Sequence, residues 1–130
     1  MTLAHIALSV NDFNEIKDFY EDILSFTFRY KFKIDDALSH TIFNMRGDTD
    51  VYIVEQQDTK LEIFLTQRKE KKAFAHVCLC ISTSGMVYEK AKKSGYRTRV
   101  KDNGLNNTYF IWDKSGNLFE IKDCNNQNCT

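Results

Sequence analysis

Neither sign of charge dominates this sequence, and no stretch of it is apolar for long enough to cross a membrane. Lys and Arg number 18 and so do Asp and Glu, which makes the formal net charge zero. A nucleic-acid partner usually requires a basic face. A membrane-spanning helix needs about 20 consecutive apolar residues. We therefore expect neither a nucleic-acid partner nor a membrane association.

Signals for secretion and for a zinc ribbon are also missing. Residues 1–5 contain neither a charged n-region nor an apolar h-region. The four cysteines include no Cys-x-x-Cys pair, which a zinc ribbon needs. These absences predict a cytoplasmic protein with reduced cysteines. The sequence leaves open what Cys124 and Cys129 do in the polar tail.

What the sequence does contain is an internal repeat. Residues 5–12 and 76–83 each consist of a histidine, alternating apolar residues and a polar pair that can begin a helix. Apolar residues alternate with polar ones in further segments of both halves, which predicts strands there. These predicted strands cover residues 28–34, 51–56, 61–66, 97–101, 109–112 and 118–122. Each half is thus predicted to be a βαβββ unit.

Helical spacing marks the remaining elements. Asp12 and Glu15 stand three apart, as in a capping box at the start of the first helix. A second helix is predicted over 84–94, with Val87 and Ala91 inward and Gly95 as its C-cap. Residues 36–45 can form one further short helix. The predicted buried face of the first helix consists of Phe13, Ile16, Tyr20, Ile23 and Leu24.

The pattern predicts an α+β fold of two units that pack closely, because the link between them is short. The first unit is predicted over 1–66 and the second over 74–123. Between them lies a linker, 67–73, and after them a polar tail, 124–130. In both units the apolar strand faces can pack under the helices, so the other faces can line a shared concave surface.

Four ionisable residues are predicted on that concave surface: His5, Glu62, His76 and Glu120. Each is flanked in its strand by apolar residues that face away from it. A single such residue usually faces solvent, but four at equivalent places in a repeat indicate that they form one functional site. Two imidazoles and two carboxylates suit one divalent metal, such as Ni, Zn, Co, Fe or Mn.

Five other residues are candidates for contact with a small-molecule substrate, since they lie on or just beyond the same strand faces. Phe64 and the two cysteines also have a simpler explanation, which is that they fill space. The candidates are Ser9, Phe64, Thr66, Cys78 and Cys80.

These segments together resemble the vicinal oxygen chelate superfamily, which includes glyoxalase I, methylmalonyl-CoA epimerase, extradiol dioxygenases and bleomycin-resistance proteins. The resemblance covers nearly the whole chain. It implies paired βαβββ units in an open, curved sheet around a central cavity, one metal held by His5, Glu62, His76 and Glu120, and a homodimer. The segments that carry it are 5–10 with Asp12, Phe19-Tyr20, 24–26, Leu61-Glu62-Ile63, Ala75-His76-Val77, 113–117 and Phe119-Glu120-Ile121.

The ligand order His-Glu-His-Glu looks most like bacterial glyoxalase I. It implies a metal-dependent lyase or isomerase that moves a proton beside a carbonyl through a metal-chelated enediolate. Glu120 is then the first candidate for the base and Glu62 the second. Ser9 and Thr66 stand where glyoxalase I has the Arg and Asn that help to hold glutathione, so a glutathione adduct is expected to be a poor substrate.

Two alternatives stay open. The same fold also serves metal-free binders of the bleomycin-resistance type, which sequester an antibiotic, and fold alone does not decide function. Ring-cleaving dioxygenases of the superfamily use two His and one Glu, and a fourth protein ligand crowds the site that substrate and oxygen need. Ser25 and Lys114 also depart from the family pattern, which has glycine and proline there.

Overall fold

The computed structural model describes residues 1–69, 73–102, 104 and 106–123. The chain divides into two compact units, Met1–Lys69 and Glu70–Thr130. The predicted tail with Cys124 and Cys129, and residues 70–72 of the predicted linker, lie outside the described residues. The boundaries predicted from the sequence therefore remain a prediction.

The first unit is a four-stranded mixed sheet with two helical segments. Its strand order is β1-β4-β3-β2, and β1 runs parallel to β4 while the other neighbours are antiparallel. Its elements are β1 (Ile6–Val10), a π-helix (Ile16–Glu21), β2 (Thr27–Ile34), α1 (Asp36–Phe43), β3 (Thr49–Gln56) and β4 (Thr59–Leu65).

The second unit repeats this arrangement. Its strand order is β5-β8-β7-β6, with β5 parallel to β8 and the remaining pairs antiparallel. The α+β class and the repeated βαβββ unit are therefore confirmed, and α1 has no counterpart among the described residues of the second unit. The elements are β5 (Val77–Cys80), α2 (Ser84–Lys93), β6 (Thr98–Lys101), β7 (Thr108–Trp112) and β8 (Leu118–Lys122).

The first helix differs from the prediction in its winding. Its backbone bonds span five residues, from the Asp22 N–H to the Lys17 carbonyl and from the Leu24 N–H to the Phe19 carbonyl. Phe19 and Tyr20 lie fully buried in this helix. Phe13 lies ahead of the π-helix and is 59% exposed, so its predicted place in the core was wrong.

Asp12 begins the turn that leads into the first helix. The side chain of Asp12 accepts a hydrogen bond from the Asn14 N–H at 2.9 Å, while the Glu15 N–H donates to the Asp12 carbonyl at 3.1 Å. Asp12 thus holds this turn by side chain and backbone, and the reciprocal bond from the Glu15 side chain in the predicted capping box stays a prediction. The other two helices form close to where periodicity predicted them, and Gly95 follows α2 with a φ of +88°.

Alternation along the strands sets the core of each unit. In β4, Leu61 and Ile63 are fully buried, and in β8 the same is true of Phe119 and Ile121. Their neighbours in sequence must then point to the opposite face of each sheet. Among the helices of the described residues, none is long and apolar enough to cross a membrane.

Candidate metal centre

The first candidate pair joins the start of β1 to the middle of β4. His5 immediately precedes β1, and β1 runs parallel to β4 so that Ala7 lies opposite Glu62. Parallel pairing brings the two side chains together on one face: His5 Nε2 is 2.8 Å from Glu62 Oε2. The imidazole is 41% exposed and the carboxylate 18%, so solvent or a ligand can reach the pair.

The second unit builds the same pair at the same register. His76 precedes β5, and Cys78 lies opposite Glu120 as Ala7 lies opposite Glu62. His76 Nε2 is 3.2 Å from Glu120 Oε2, and the exposed fractions, 40% and 18%, match those of the first pair. The repeat in the sequence therefore reproduces a His–Glu contact, and not only a backbone pattern.

The ring of His76 is oriented by the backbone. Its Nδ1 lies 2.8 Å from the Phe74 carbonyl oxygen, an acceptor, so Nδ1 carries a proton and donates it. In a neutral ring Nε2 then presents a lone pair toward Glu120 Oε2. The lone pairs of His76 Nε2 and Glu120 Oε2 repel each other unless a cation lies between them. That cation is either a proton on Nε2 or a metal ion. The donor set is therefore suited to a divalent metal.

The surroundings of the two carboxylates differ. Lys122 lies two residues beyond Glu120 in β8, and its Nζ is 3.5 Å from Glu120 Oε1. The corresponding position beyond Glu62 is Phe64, whose ring packs 5.2 Å from that of Phe43 in α1. Lys122 was not among the site residues predicted from the sequence. Its place two residues from Glu120 in a strand, and hence on the same face, was the available signal.

The two cysteines of β5 differ in oxidation state. Cys78 is a free, exposed thiol opposite Glu120. Partial desolvation by its neighbours, and next the negative charge of Glu120, raise the pKa of this thiol. Cys80 is disulfide-bonded, so the expectation that all the cysteines are reduced is wrong for this residue. Sequence separation alone does not decide which sulfur atoms approach each other.

Three further candidates lie in the first unit. Ser9 is opposite Phe64 across β1 and β4, on the side of the sheet that carries Glu62. Thr66 closes the end of this strand pair, because its N–H donates to the Val10 carbonyl at 2.9 Å. Its hydroxyl oxygen accepts from the Arg68 N–H at 3.1 Å. Their contact with a substrate remains a prediction, as it does for Cys78 and Cys80.

Each His–Glu pair supplies two candidate metal ligands. Over residues 1–69, 73–102, 104 and 106–123, no three His, Cys, Asp or Glu side chains lie close enough to hold a metal ion. Each unit thus offers one imidazole and one carboxylate. Two protein ligands leave most positions of a transition metal unfilled.

Comparison with known proteins extends these observations to the whole chain. Residues 2–121 match the family described as the glyoxalase/bleomycin resistance protein/dioxygenase superfamily. A search of curated proteins finds no match. Solved structures with the same fold include a glyoxalase family protein from Enterococcus faecalis, at 17% identity and a TM-score of 0.66 over 94% of this chain and 97% of that one.

Two fosfomycin resistance proteins also share the fold. FosX from Listeria monocytogenes is 15% identical with a TM-score of 0.74, over 97% of this chain and 95% of that one. FosX from Mesorhizobium loti is 14% identical with a TM-score of 0.70, over 96% and 93%. A variant of the Listeria protein was crystallised with Mn(II) and 1S,2S-dihydroxypropylphosphonic acid. At these identities the likeness establishes the fold alone.

Proposed function

Because this chain belongs to the glyoxalase/bleomycin resistance protein/dioxygenase superfamily, we propose that it is a metal-dependent enzyme that acts on a small oxygenated molecule. The observation that supports this most is the His–Glu contact repeated at one register in both units. Surface histidines that merely face solvent have no reason to repeat in this way. The Mn(II) complex of the Listeria relative supports a divalent ion in general.

Four residues are the proposed ligands of that ion: His5 and Glu62 from the first unit, His76 and Glu120 from the second. Each imidazole would bind through Nε2, the atom that faces the carboxylate. The Phe74 carbonyl keeps the Nδ1 proton of His76 in place, and such outer partners commonly orient a metal-bound imidazole. Two imidazoles and two carboxylates favour a transition metal over Mg²⁺ or Ca²⁺.

The proposed reaction is proton transfer beside a carbonyl, as in a lyase or isomerase of the glyoxalase I type. A bound divalent ion with open positions supplies Lewis-acid polarisation of neighbouring substrate oxygens. The chain supplies the proton acceptor, a carboxylate oxygen that takes the proton from one carbon and returns it to the next. Glu62 and Glu120 are the two candidates for that role.

Metal analysis tests this proposal directly. Protein purified without a metal-affinity tag should contain about one equivalent of a divalent transition metal, and His5→Ala or His76→Ala should lose most of it, since each removes one ligand. The third histidine, His40, is exposed in α1 and provides the matched control. His40→Ala should retain the metal. Full metal content in both His5→Ala and His76→Ala would show that the site lies elsewhere.

A metal-free binding protein of the bleomycin-resistance type is the second candidate. It is favoured by the aromatic side chains that share a sheet face with Glu62. Tyr30 and Phe32 are 50% and 36% exposed, and their register through β3 places them on that face. Exposed aromatic surface suits a flat apolar ligand. Tight binding of such an antibiotic to metal-free protein, together with absence of metal after purification, would favour this function over catalysis.

We also propose that the protein is a homodimer. Each sheet has two edge strands, β1 and β2 in one and β5 and β6 in the other, and exposed edges are commonly covered by association. Light scattering at micromolar concentration should give the mass of two chains. A monomeric mass over the whole concentration range would refute this.

A further inference from the structure

We infer that the open face of the second sheet binds a phosphate ester, held by the side chains of Arg99, Lys101 and Lys122. The inference names a substrate class for the function proposed above, and it rests on that function only in taking the bound molecule to be the substrate. Every residue that carries it belongs to the second unit, Glu70–Thr130. We call Arg99, Lys101 and Lys122 together the basic face.

The helix α2 covers one face of this sheet and leaves the other open. Tyr88 of α2 stacks on Tyr109 of β7, with the ring centroids 4.9 Å apart. Phe110 must then point to the opposite face, where Arg99 of β6 and Glu120 of β8 lie on either side of it. Arg99 is exposed, and the other two are half-buried, so a small ligand can reach this row of side chains.

The direction of the strands brings the three cations together. Both β6 and β8 pair antiparallel with β7, so β6 and β8 run in the same direction. Lys101 and Lys122 come two residues after Arg99 and Glu120, and therefore lie on the open face again. Neighbouring strands are about 4.8 Å apart, so the backbones of Lys101 and Lys122 are roughly 10 Å from each other across β7. Their long stems can bring both ammonium groups to one anion.

Only part of this positive charge is neutralised within the sheet. Glu120 Oε1 lies 3.5 Å from Lys122 Nζ, which leaves the other ammonium donors for further partners. Arg99 and Lys101 are both exposed, and neither forms an ion pair with any residue of 1–69, 73–102, 104 or 106–123. An anion on this face would therefore meet charge that the described part of the chain does not compensate.

The acidic residues next to the basic face have contacts elsewhere. Asp102 follows β6, and its Oδ1 accepts a hydrogen bond from the Gly104 N–H at 2.8 Å. Asp123 follows β8, and its Oδ1 accepts from the Ser84 hydroxyl at 2.6 Å, at the start of α2. Because α2 lies on the covered side of the sheet, this contact directs Asp123 away from the open face.

The edge strand of the first unit, β2, is also basic, but its neighbour neutralises it. Arg29 Nε lies 3.4 Å from Glu55 Oε2, and Lys33 Nζ lies 3.6 Å from Asp50 Oδ1. Both carboxylates belong to β3, the strand that pairs with β2. The first sheet thus supplies the counter-charges of its own edge strand, and no ligand is needed there.

The strand of the second unit that pairs with β6 supplies no carboxylate. Thr108 of β7 lies opposite Lys101, and Phe110 lies opposite Arg99. The five residues of β7 are Thr-Tyr-Phe-Ile-Trp, none of which is charged. The half-buried ring of Phe110 also places an apolar surface beside the cations, where attraction to an anion is stronger than in bulk water. A bound anion would supply the counter-charge that β7 lacks.

A phosphate ester suits these three side chains better than other anions do. It carries about −1.5 to −2 charges at pH 7 and has three strong acceptor oxygens, whereas a carboxylate has a single charge and two oxygens. The planar guanidinium of Arg99 can donate two parallel hydrogen bonds to such a group. A nucleic acid is not favoured, because the chain has no net charge and the two lysines are only roughly 10 Å apart.

An NMR titration of ¹⁵N-labelled protein with inorganic phosphate tests the inference. EDTA is present so that phosphate cannot bind through a metal ion, and the ionic strength is constant because salt screens exposed charges. The backbone amide signals of β6, β7 and β8 should shift and saturate, while those of β2 and β3 should not. Acetate should bind at least about fivefold more weakly than phosphate. Equal affinity for acetate, or equal shifts in both sheets, would overturn the inference.

Phenyl phosphate distinguishes an ester from the free ion. Its ring can contact Phe110 beside the basic face, so it should bind about threefold or more tightly than inorganic phosphate does. Weaker binding of phenyl phosphate would show that the face accepts only the free ion, and the proposed substrate class would then be wrong.

Substitutions test the individual side chains. Lys101→Gln should weaken phosphate binding by roughly tenfold, the lower end of the effect of losing one charged hydrogen bond. Arg99→Gln should have an effect at least as large, whereas Lys101→Arg keeps the charge and should retain binding. Lys31→Gln is the matched control, because Lys31 is an exposed lysine on the edge strand of the other sheet. Unchanged affinity in both Arg99→Gln and Lys101→Gln, with folding checked by circular dichroism, would refute the inference.

The outcomes separate this inference from the proposed function. If phosphate shifts the amide signals of β6 and β8 but the purified protein contains no metal, the proposed metal site fails and the anion site stands. If the protein contains metal but phosphate shifts no signal of β6 or β8, the inference is wrong and the proposed metal-dependent function stands.

Discussion

Cys78 lies opposite Glu120 across β5 and β8, at the register where Ala7 lies opposite Glu62 across β1 and β4. The second unit therefore places a free thiol beside a carboxylate where the first has only a methyl group. This contact adds to desolvation in raising the pKa of the Cys78 thiol. The thiolate is the reactive form, so the contact has a measurable consequence.

We expect Cys78 to be alkylated slowly by iodoacetamide. A raised pKa lowers the thiolate fraction at a given pH, so at mildly alkaline pH Cys78 should react more slowly than a cysteine in a short peptide. Glu120→Gln removes the negative charge that helps to raise the pKa of the Cys78 thiol, so it should speed the reaction. Peptide mass spectrometry over a time course measures the rate at this residue. Glu89→Gln, an exposed change in α2, is the control and should have no effect.

Metal binding should release protons. His76 donates from Nδ1 to the Phe74 carbonyl, which leaves Nε2, the atom that faces Glu120, as the proposed ligand. A metal ion and a proton compete for this nitrogen, so metal affinity should fall as the pH is lowered. Calorimetric titrations with Zn²⁺ in buffers of different ionisation enthalpy count the protons released. An enthalpy independent of the buffer would contradict this expectation.

Ser25→Gly should stabilise the protein. Ser25 follows the first helix with a φ of +62°, a left-handed conformation that favours glycine, and family members commonly have glycine there. The expected gain is about 0.5–1 kcal/mol, which for a chain of this size raises Tm by roughly 2–5 °C. Ser94→Gly is the matched control, because Ser94 follows α2 with a φ of −82°. That change should not stabilise.

The hemithioacetal of methylglyoxal and glutathione should be a poor substrate. Ser9 and Thr66 cannot supply the charge and the amide that glyoxalase I has there, and the Thr66 hydroxyl oxygen already accepts from the Arg68 N–H. Each missing charged contact costs about 1.5–3 kcal/mol of binding. A metal-reconstituted assay measures kcat/KM. Turnover at ordinary enzyme rates, abolished in Glu120→Gln, would refute the expectation about glutathione while supporting the proposed chemistry.

The sequence by itself determined the repeat and the strand faces. A period of two decides which side of a sheet a residue occupies, so the buried positions of Leu61 and Phe119 followed from alternation alone. By the same alternation, the histidine and the glutamate of each half are predicted on the concave face. Alternation gives no distance between the two side chains, because it does not state which strands are neighbours.

Periodicity was misleading where the chain leaves a regular geometry. Phe13 fits a regular helical pattern but lies in the turn ahead of the first helix, where it is exposed. Phe19 was missing from the predicted buried face, although it is fully buried and lies three residues after Ile16, as helical spacing requires.

Only the tertiary structure decided which side chains meet. Parallel pairing of β1 with β4 and of β5 with β8 joins His5 to Glu62 and His76 to Glu120 across long sequence separations. The same pairing cannot reveal that Lys122 reaches Glu120, that the Phe74 carbonyl holds the His76 ring, or that Cys80 is oxidised. These contacts depend on side-chain rotamers and loop paths, which are set by packing around each site and not by the local pattern of apolar residues.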